Sequence, residues 1–182
     1  MFHRTDRLFL RPIFPEDWPA ILSGIAELPI VRNLAQAPWP YAEADARAFA
    51  ARTPDPAMPT FAVTLPSPDG GAQYIGQIGF VEHAGELQIG YWFAREYWNH
   101  GYATEAACGL IEIARMMGMK HLGAVHFVDN PASGAVLRKA GFKPTGQSSK
   151  LHSVARGRAD PCLHYAIDLA GDCCPTEWKR AA

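Results

Sequence analysis

Thr5 to Arg11 reads TDRLFLR, and Leu8 and Leu10 alternate with Arg7 and Arg11, the period of a half-buried strand that Pro12 ends. Pro15-Glu16-Asp17 opens a helix: proline suits a first turn, and acidic residues there favour the positive end of the helix dipole. Trp18, Ile21, Leu22 and Ile25 supply its apolar stripe. Pro38-Trp39-Pro40-Tyr41 is a stiff aromatic connector, and Ala42 to Ala51 reads as a second helix with Ala46, Phe49 and Ala50 inward. After a proline-rich loop come three short apolar segments, Phe61–Leu65, Tyr74–Val81 and Glu86–Phe93, separated by turns at Pro66–Gly71 and Ala84-Gly85. Short connections make these three an antiparallel meander.

From Gly101 the period changes to that of a helix. Ala103, Ala106, Ala107, Leu110, Ile113, Ala114 and Met117 follow the i, i+3, i+4, i+7 template, and Gly118 stands where a left-handed cap is expected. Leu122–Val128 is β-rich. A strand, a long helix and another strand predict a crossover between two parallel neighbours. Asn130 and Pro131 fit the cap and first position of a further helix that ends at Gly141. Two β segments follow, around Lys143–Gln147 and Leu163–Leu169. The predicted order is β-α-α-β-β-β-α-β-α-β-β, an α/β chain with a mixed sheet. No repeat or composition break divides it, so one domain over 1–182 is expected, with its core at about 5–169.

Composition removes several classes of function. The chain has 182 residues, 48% of them apolar and 19% charged, which excludes intrinsic disorder. Its 17 Lys+Arg against 18 Asp+Glu leave a net charge of −1, without the basic excess expected of a nucleic-acid partner. No apolar run reaches the ~18 residues of a membrane span, and the charged Met1–Arg7 start is unlike a signal peptide. A cytoplasmic location and no membrane partner are expected. The cysteines are Cys108, Cys162, Cys173 and Cys174, with no CxxC pair. Cys162, His164 and the vicinal pair are read as free thiols and a lone histidine rather than a metal set, and no metal is assigned.

The chemistry concentrates in Gly90–Thr104, GYWFAREYWNHGYAT. A strand runs into a loop whose Gly101 stands just before a helix. Free N–H groups there, with the helix dipole, suit an anion such as a pyrophosphate, and a glycine lets the phosphates approach the amides. A plain strand-to-helix turn would look the same locally. The loop is neither a Walker A sequence nor GxGxxG.

Five segments in register, TDRLFLRP, PWPYAEADARAF, IGQIGF, IGYWFAREYWNHGYATEA and NPASGAVLRKAGF, resemble the GCN5-related N-acetyltransferase superfamily, in the branch that acetylates ribosomal protein N-termini. The resemblance spans Thr5 to Leu169. It implies a mixed sheet with two splayed central parallel strands, acetyl-CoA wedged between them as cosubstrate, and transfer of the acetyl group to a primary amine by direct attack in a ternary complex. The acceptor would be a protein or peptide N-terminus or a small-molecule amine. The rival reading is an acyl-CoA-binding sensor or interaction module that kept the fold without turnover.

By the same resemblance, Asn99, His100, Gly101, Tyr102, Ala103 and Thr104 form the phosphate loop, in which Trp98 replaces the family's Gln/Arg and Asn99 stands where relatives carry glycine. Tyr91, Trp92 and Phe93 offer backbone groups to the pantetheine arm. Asn130 either bonds pantetheine or caps its helix, and Lys139 either meets a phosphate or is solvated. Ser133 matches the branch serine that protonates the leaving thiolate; the alternative is a first-turn serine satisfying an amide. Gln88 replaces a carboxylate that serves many relatives as base, so Glu86 acts through water or bulk water suffices. Trp39 and Tyr41 either line the acceptor pocket or close a satellite core. A homodimer through Trp178 is a further expectation.

Overall fold

The structure, a computed structural model, describes residues 1–67, 70–83 and 85–170. Cys173, Cys174 and Trp178, with Pro68, Asp69 and Ala84 of the two meander turns, lie outside them. The expected N-terminal strand is two: β1 (His3–Arg4) and β2 (Phe9–Pro12). The chain reverses between them, the Thr5 amide donating to the Leu8 carbonyl at 3.0 Å, so that β1 and β2 pair antiparallel as a hairpin. Pro15–Asp17 form a 3-10 turn before α1 (Trp18–Ile25), and the Asp17 carboxylate accepts from the Phe14 amide and from both terminal nitrogens of Arg11, each at 2.7 Å. A one-turn helix, α2 (Leu28–Val31), follows without having been expected, and α3 spans Glu43–Ala50.

The meander is β3 (Thr60–Pro66), β4 (Ala72–His83) and β5 (Glu86–Phe93), antiparallel throughout as its short turns require. Then come α4 (Tyr102–Met116), β6 (His121–Phe127), α5 (Pro131–Lys139), β7 (Lys143–Ser153) and β8 (Arg158–Asp168). One sheet of eight strands results, in the order β1-β2-β3-β4-β5-β6-β8-β7. Residues 148–153 and 158–162 extend the last hairpin well past the expected segments. Their polar residues read as loop, yet the backbone ladder continues from Ser148↔Leu163 to Ser153↔Arg158.

The sheet buries both faces. On one, the apolar stripe of α4 and Leu137 of α5 pack against Leu10, Val63, Ile78, Ile89, Phe93, Leu122 and Tyr165. On the other, α1 and α3 close a second cluster around Ile21, Ile25, Ala46 and Trp92. Alternation along β5 sends Ile89, Tyr91 and Phe93 to the α4/α5 side and Gln88 and Trp92 to the α1/α3 side. Cys108 in α4 is disulfide-bonded, which the sequence reading did not foresee, and Cys162 is free. Which cysteines pair depends on what folding brings into contact, and spacing along the chain does not reveal that. Among the described residues no helix is long and apolar enough to cross a membrane, and no group of three metal-ligating side chains occurs.

Candidate active site

The site begins where two parallel strands part. β5 and β6 share a single register pair, Gln88↔Gly123. Beyond it Ile89–Phe93 and Ala124–Phe127 run on without a ladder, leaving backbone groups of β5 available along a wedge. Gln88 sits at the apex, 3% exposed, with its side chain laid across Gly123; a Cβ at residue 123 would come within 3.2 Å of the Gln88 Cγ. No hydrogen bond among the described residues engages the Gln88 carboxamide. The Gln88 carboxamide is not sealed from solvent, so a bound molecule can reach it.

On the α4/α5 side of the wedge, Tyr91 reaches from β5 to the first turn of α5. Its hydroxyl lies 2.9 Å from the Ser133 hydroxyl and 3.3 Å from the Ser133 carbonyl. Burial of that end pushes the Tyr91 pKa up to about 12, opposed in part by the bond to Ser133, so the phenol is protonated at neutral pH. Asn130 acts as the helix cap: its Oδ1 accepts from the Ser133 amide at 3.4 Å. Both local alternatives for Ser133 are thereby refined. Its hydroxyl meets Tyr91 and leaves the capping to Asn130.

The loop after β5 reaches α4 through two left-handed residues, Asn99 (φ 65°) and Gly101 (φ 79°). Asparagine is among the few non-glycine residues that tolerate this conformation, which is how the loop keeps its course without a glycine at 99. Gly101 is the N-cap, and its carbonyl accepts the first helical bond, from the Glu105 amide at 3.1 Å. The amides of the first turn, Tyr102 to Thr104, have no acceptor within the helix and carry its dipole. Asn99, His100 and Gly101 are exposed at the loop mouth. The wedge, the glycine-borne loop and the unmatched Gln88 fit an acyl-CoA: an extended amide arm, an anionic pyrophosphate and a polar thioester head.

Other expected residues are placed elsewhere. The Trp98 indole donates to the Phe93 carbonyl at 2.8 Å, tying the loop to the end of β5. The Trp92 indole donates to Gln77 at 3.0 Å inside the second cluster. Tyr41 belongs to that cluster, where burial raises its pKa, while Trp39 is 43% exposed across a cis bond to Pro40. Lys139 is exposed at the far end of α5 from Asn130. Glu86 is exposed and borders an open groove of about 340 Å³ with His121, Gly123, Gln147 and His164, two residues along the strand from Gln88.

The sequence reading passed over two features. Arg7 and Glu105 join the N-terminal turn to the loop before α4. Arg156 knits the turn of the last hairpin to the segments at Arg32-Asn33 and Asp129: its guanidinium bonds Asp129 (2.8 and 3.0 Å), Asp160 (2.8 Å) and Asn33 (3.2 Å), its Nε donates to the Arg32 carbonyl (2.6 Å), and it lies 4.1 Å over the Phe127 ring. Hydrogen bonds from Arg156 hold the Asp129 and Asp160 carboxyls below the usual carboxylate range. Neither feature follows a sequence period: Glu105 lies 98 positions from Arg7, and Arg156 gathers partners from 4 to 124 positions away.

The mixed sheet that parts between β5 and β6 is an acetyltransferase fold. The comparisons give the family: residues 7–143 match the acetyltransferase (GNAT) domain, and the chain belongs to that family and is an acetyltransferase. It is 29% identical over 145 residues to the uncharacterized N-acetyltransferase YnaD of Bacillus subtilis, which covers 78% of this chain and 82% of that protein. Among solved structures it is similar to a GNAT-family acetyltransferase from Bacillus anthracis (TM-score 0.77, 25% identity, 93% of this chain and 99% of that one). It shares its fold with RimL, a ribosomal L7/L12 α-N-protein acetyltransferase in complex with coenzyme A (TM-score 0.72, 19% identity, 94% and 100%).

Proposed function

We propose that this chain transfers the acetyl group of acetyl-CoA to a primary amine, a peptide N-terminus or a small-molecule amine, by direct attack in a ternary complex. The observation that carries the reading is the parting of β5 and β6 at Gln88, with the Tyr91–Ser133 hydroxyl pair on one side of the opening and Gln88 on the other. Bound acetyl-CoA supplies an activated thioester. The backbone of Tyr91–Phe93 pairs with its amide arm, and the amides of Gly101–Thr104 hold its pyrophosphate.

The chain's own residues then have a short task. Gln88 receives the acceptor amine at the apex. As the C–N bond forms and the C–S bond breaks, Ser133 gives its proton to the departing sulfur and is resupplied by Tyr91, which regains a proton from water before the next turnover. The amine proton leaves to water along the groove bordered by Glu86. A glutamine cannot hold that proton, which favours acceptors that are already largely neutral: an α-amine (pKa about 8) over a lysine amine (about 10.4). The thermal midpoint tests the cosubstrate. Acetyl-CoA at one hundred times its Kd stabilises the protein by ~2.7 kcal/mol through mass action, and no shift at millimolar acetyl-CoA overturns the assignment.

A further inference from the structure

We propose that Arg7 and Glu105 form a brace that sets the course of the phosphate loop, so that Arg7 governs acetyl-CoA affinity through the pyrophosphate without touching it; this rests on the reading of His100–Thr104 as the CoA loop. The Glu105 side chain is 0% exposed, one turn into α4. Its Oε1 accepts from the Thr5 hydroxyl at 2.6 Å and from the Arg7 amide at 2.7 Å, and its Oε2 accepts from the Arg7 Nε at 2.7 Å. A buried carboxylate is tolerated only when paired and hydrogen-bonded, and these three donors satisfy it.

The other end of Arg7 grips the loop. Its Nη1 donates to the His100 carbonyl at 3.1 Å, and its guanidinium carbon lies 4.7 Å over the Tyr102 ring. That ring also stacks on His100, with centroids 5.7 Å apart and planes 16° from parallel. The Arg7 Nη2 comes within 3.3 Å of where a Cβ on Gly101 would stand. One planar fork therefore spans His100, Gly101 and Tyr102, the residues that carry the chain through the left-handed turn into α4. A loop held at its carbonyl and on its ring presents its amides ready for an anion, and a loop without these contacts must be ordered when the ligand binds. The turn of the β1–β2 hairpin is part of the same brace, since its Thr5 hydroxyl and Arg7 amide both donate to Glu105.

Arg7 is thus a positioning residue, and its signature is selectivity between ligands with and without phosphates. Arg7→Lys keeps the charge beside Glu105 but lacks the fork that also reaches His100. The double variant Arg7→Met/Glu105→Gln removes the brace without stranding a buried charge. Both are titrated with acetyl-CoA by calorimetry and assayed with S-acetylpantetheine, which carries the thioester arm and no pyrophosphate. The brace predicts at least a tenfold weaker Kd for acetyl-CoA, with kcat/KM for S-acetylpantetheine within twofold of wild type. Equal acetyl-CoA affinity in either folded variant, or equal losses on both ligands, overturns it. Wild-type protein that fails to bind acetyl-CoA instead removes the loop reading on which the brace depends.

Discussion

The Tyr91 and Ser133 hydroxyls stand 2.9 Å apart, joining the free edge of β5 to the first turn of α5 across the opening between the parallel strands. The Tyr91 pKa of about 12 leaves the pair protonated at any pH where the fold is comfortable. In the proposed reaction it serves as a proton donor without a pH switch of its own.

Ser133→Ala therefore lowers kcat at least tenfold, the ordinary scale of one proton-transfer partner, and leaves the acetyl-CoA Kd nearly intact. Tyr91→Phe lowers kcat less, because water replaces a resupplying hydroxyl more easily than the donor itself. The double variant is no worse than Ser133→Ala alone. Steady-state kinetics beside calorimetry check this, and unchanged turnover in Ser133→Ala returns the residue to a structural role.

Gly101→Val tests the phosphate loop. Valine at φ 79° is strained and meets the anchored Arg7 guanidinium, so the loop must take another course. Losing two charge-assisted bonds at ~1.5–3 kcal/mol each weakens acetyl-CoA by two orders of magnitude or more. The position is exposed at the loop mouth, so the fold survives. Calorimetry beside a circular dichroism melt reads both effects; near-wild-type affinity in a folded variant places the phosphates elsewhere.

Gln88→Glu puts back the missing base. At 3% exposure the new carboxyl is pushed up from its usual range, toward the pH at which it can take a proton from an amine. The expected result is a several-fold gain in kcat/KM at neutral pH for a lysine side-chain acceptor and little change for an α-amine. A pH–rate profile for each acceptor measures it.

The Arg156 cluster predicts an acid dependence of stability. Asp129 and Asp160 have folded-state pKa values below their unfolded ones. Their contribution is complete above the usual carboxylate pKa of about 4 and is lost as pH falls through the depressed values. Arg156→Met removes it at neutral pH, so the Tm gap between variant and wild type narrows as pH drops below about 4. A gap independent of pH assigns the loss to packing on Phe127 instead.

Much of this architecture was legible in the sequence because the information is local. β5 appears at its predicted limits, 86–93, bounded by Gly85 and Ala94, and α4 follows the helical period of its alanines and leucines. Gly101 is detectable because a left-handed cap leaves a residue-type signature. The extended β7–β8 hairpin was not, since Ser148–Ser149 and Arg158–Asp160 carry no apolar alternation, and the Ser149 hydroxyl meets Cys162 and His164 only once the register is set. The same holds for the Tyr91–Ser133 contact, for Glu105 and for Arg156. The sequence shows that these residues are present and what helix or strand they occupy. Which side chains meet across long separations depends on register and on the angle at which β5 and β6 part.

The most direct measurement follows both halves of the reaction at once: thiol released from acetyl-CoA and mass gained by the acceptor, across a panel of peptides with free N-termini, lysine-containing peptides blocked at the N-terminus, and small amines. The account predicts that each thiol released is matched by one acetyl group on an amine, with α-amines preferred. Tight acetyl-CoA binding with neither thiol release nor acetylated product from any amine in the panel would contradict it.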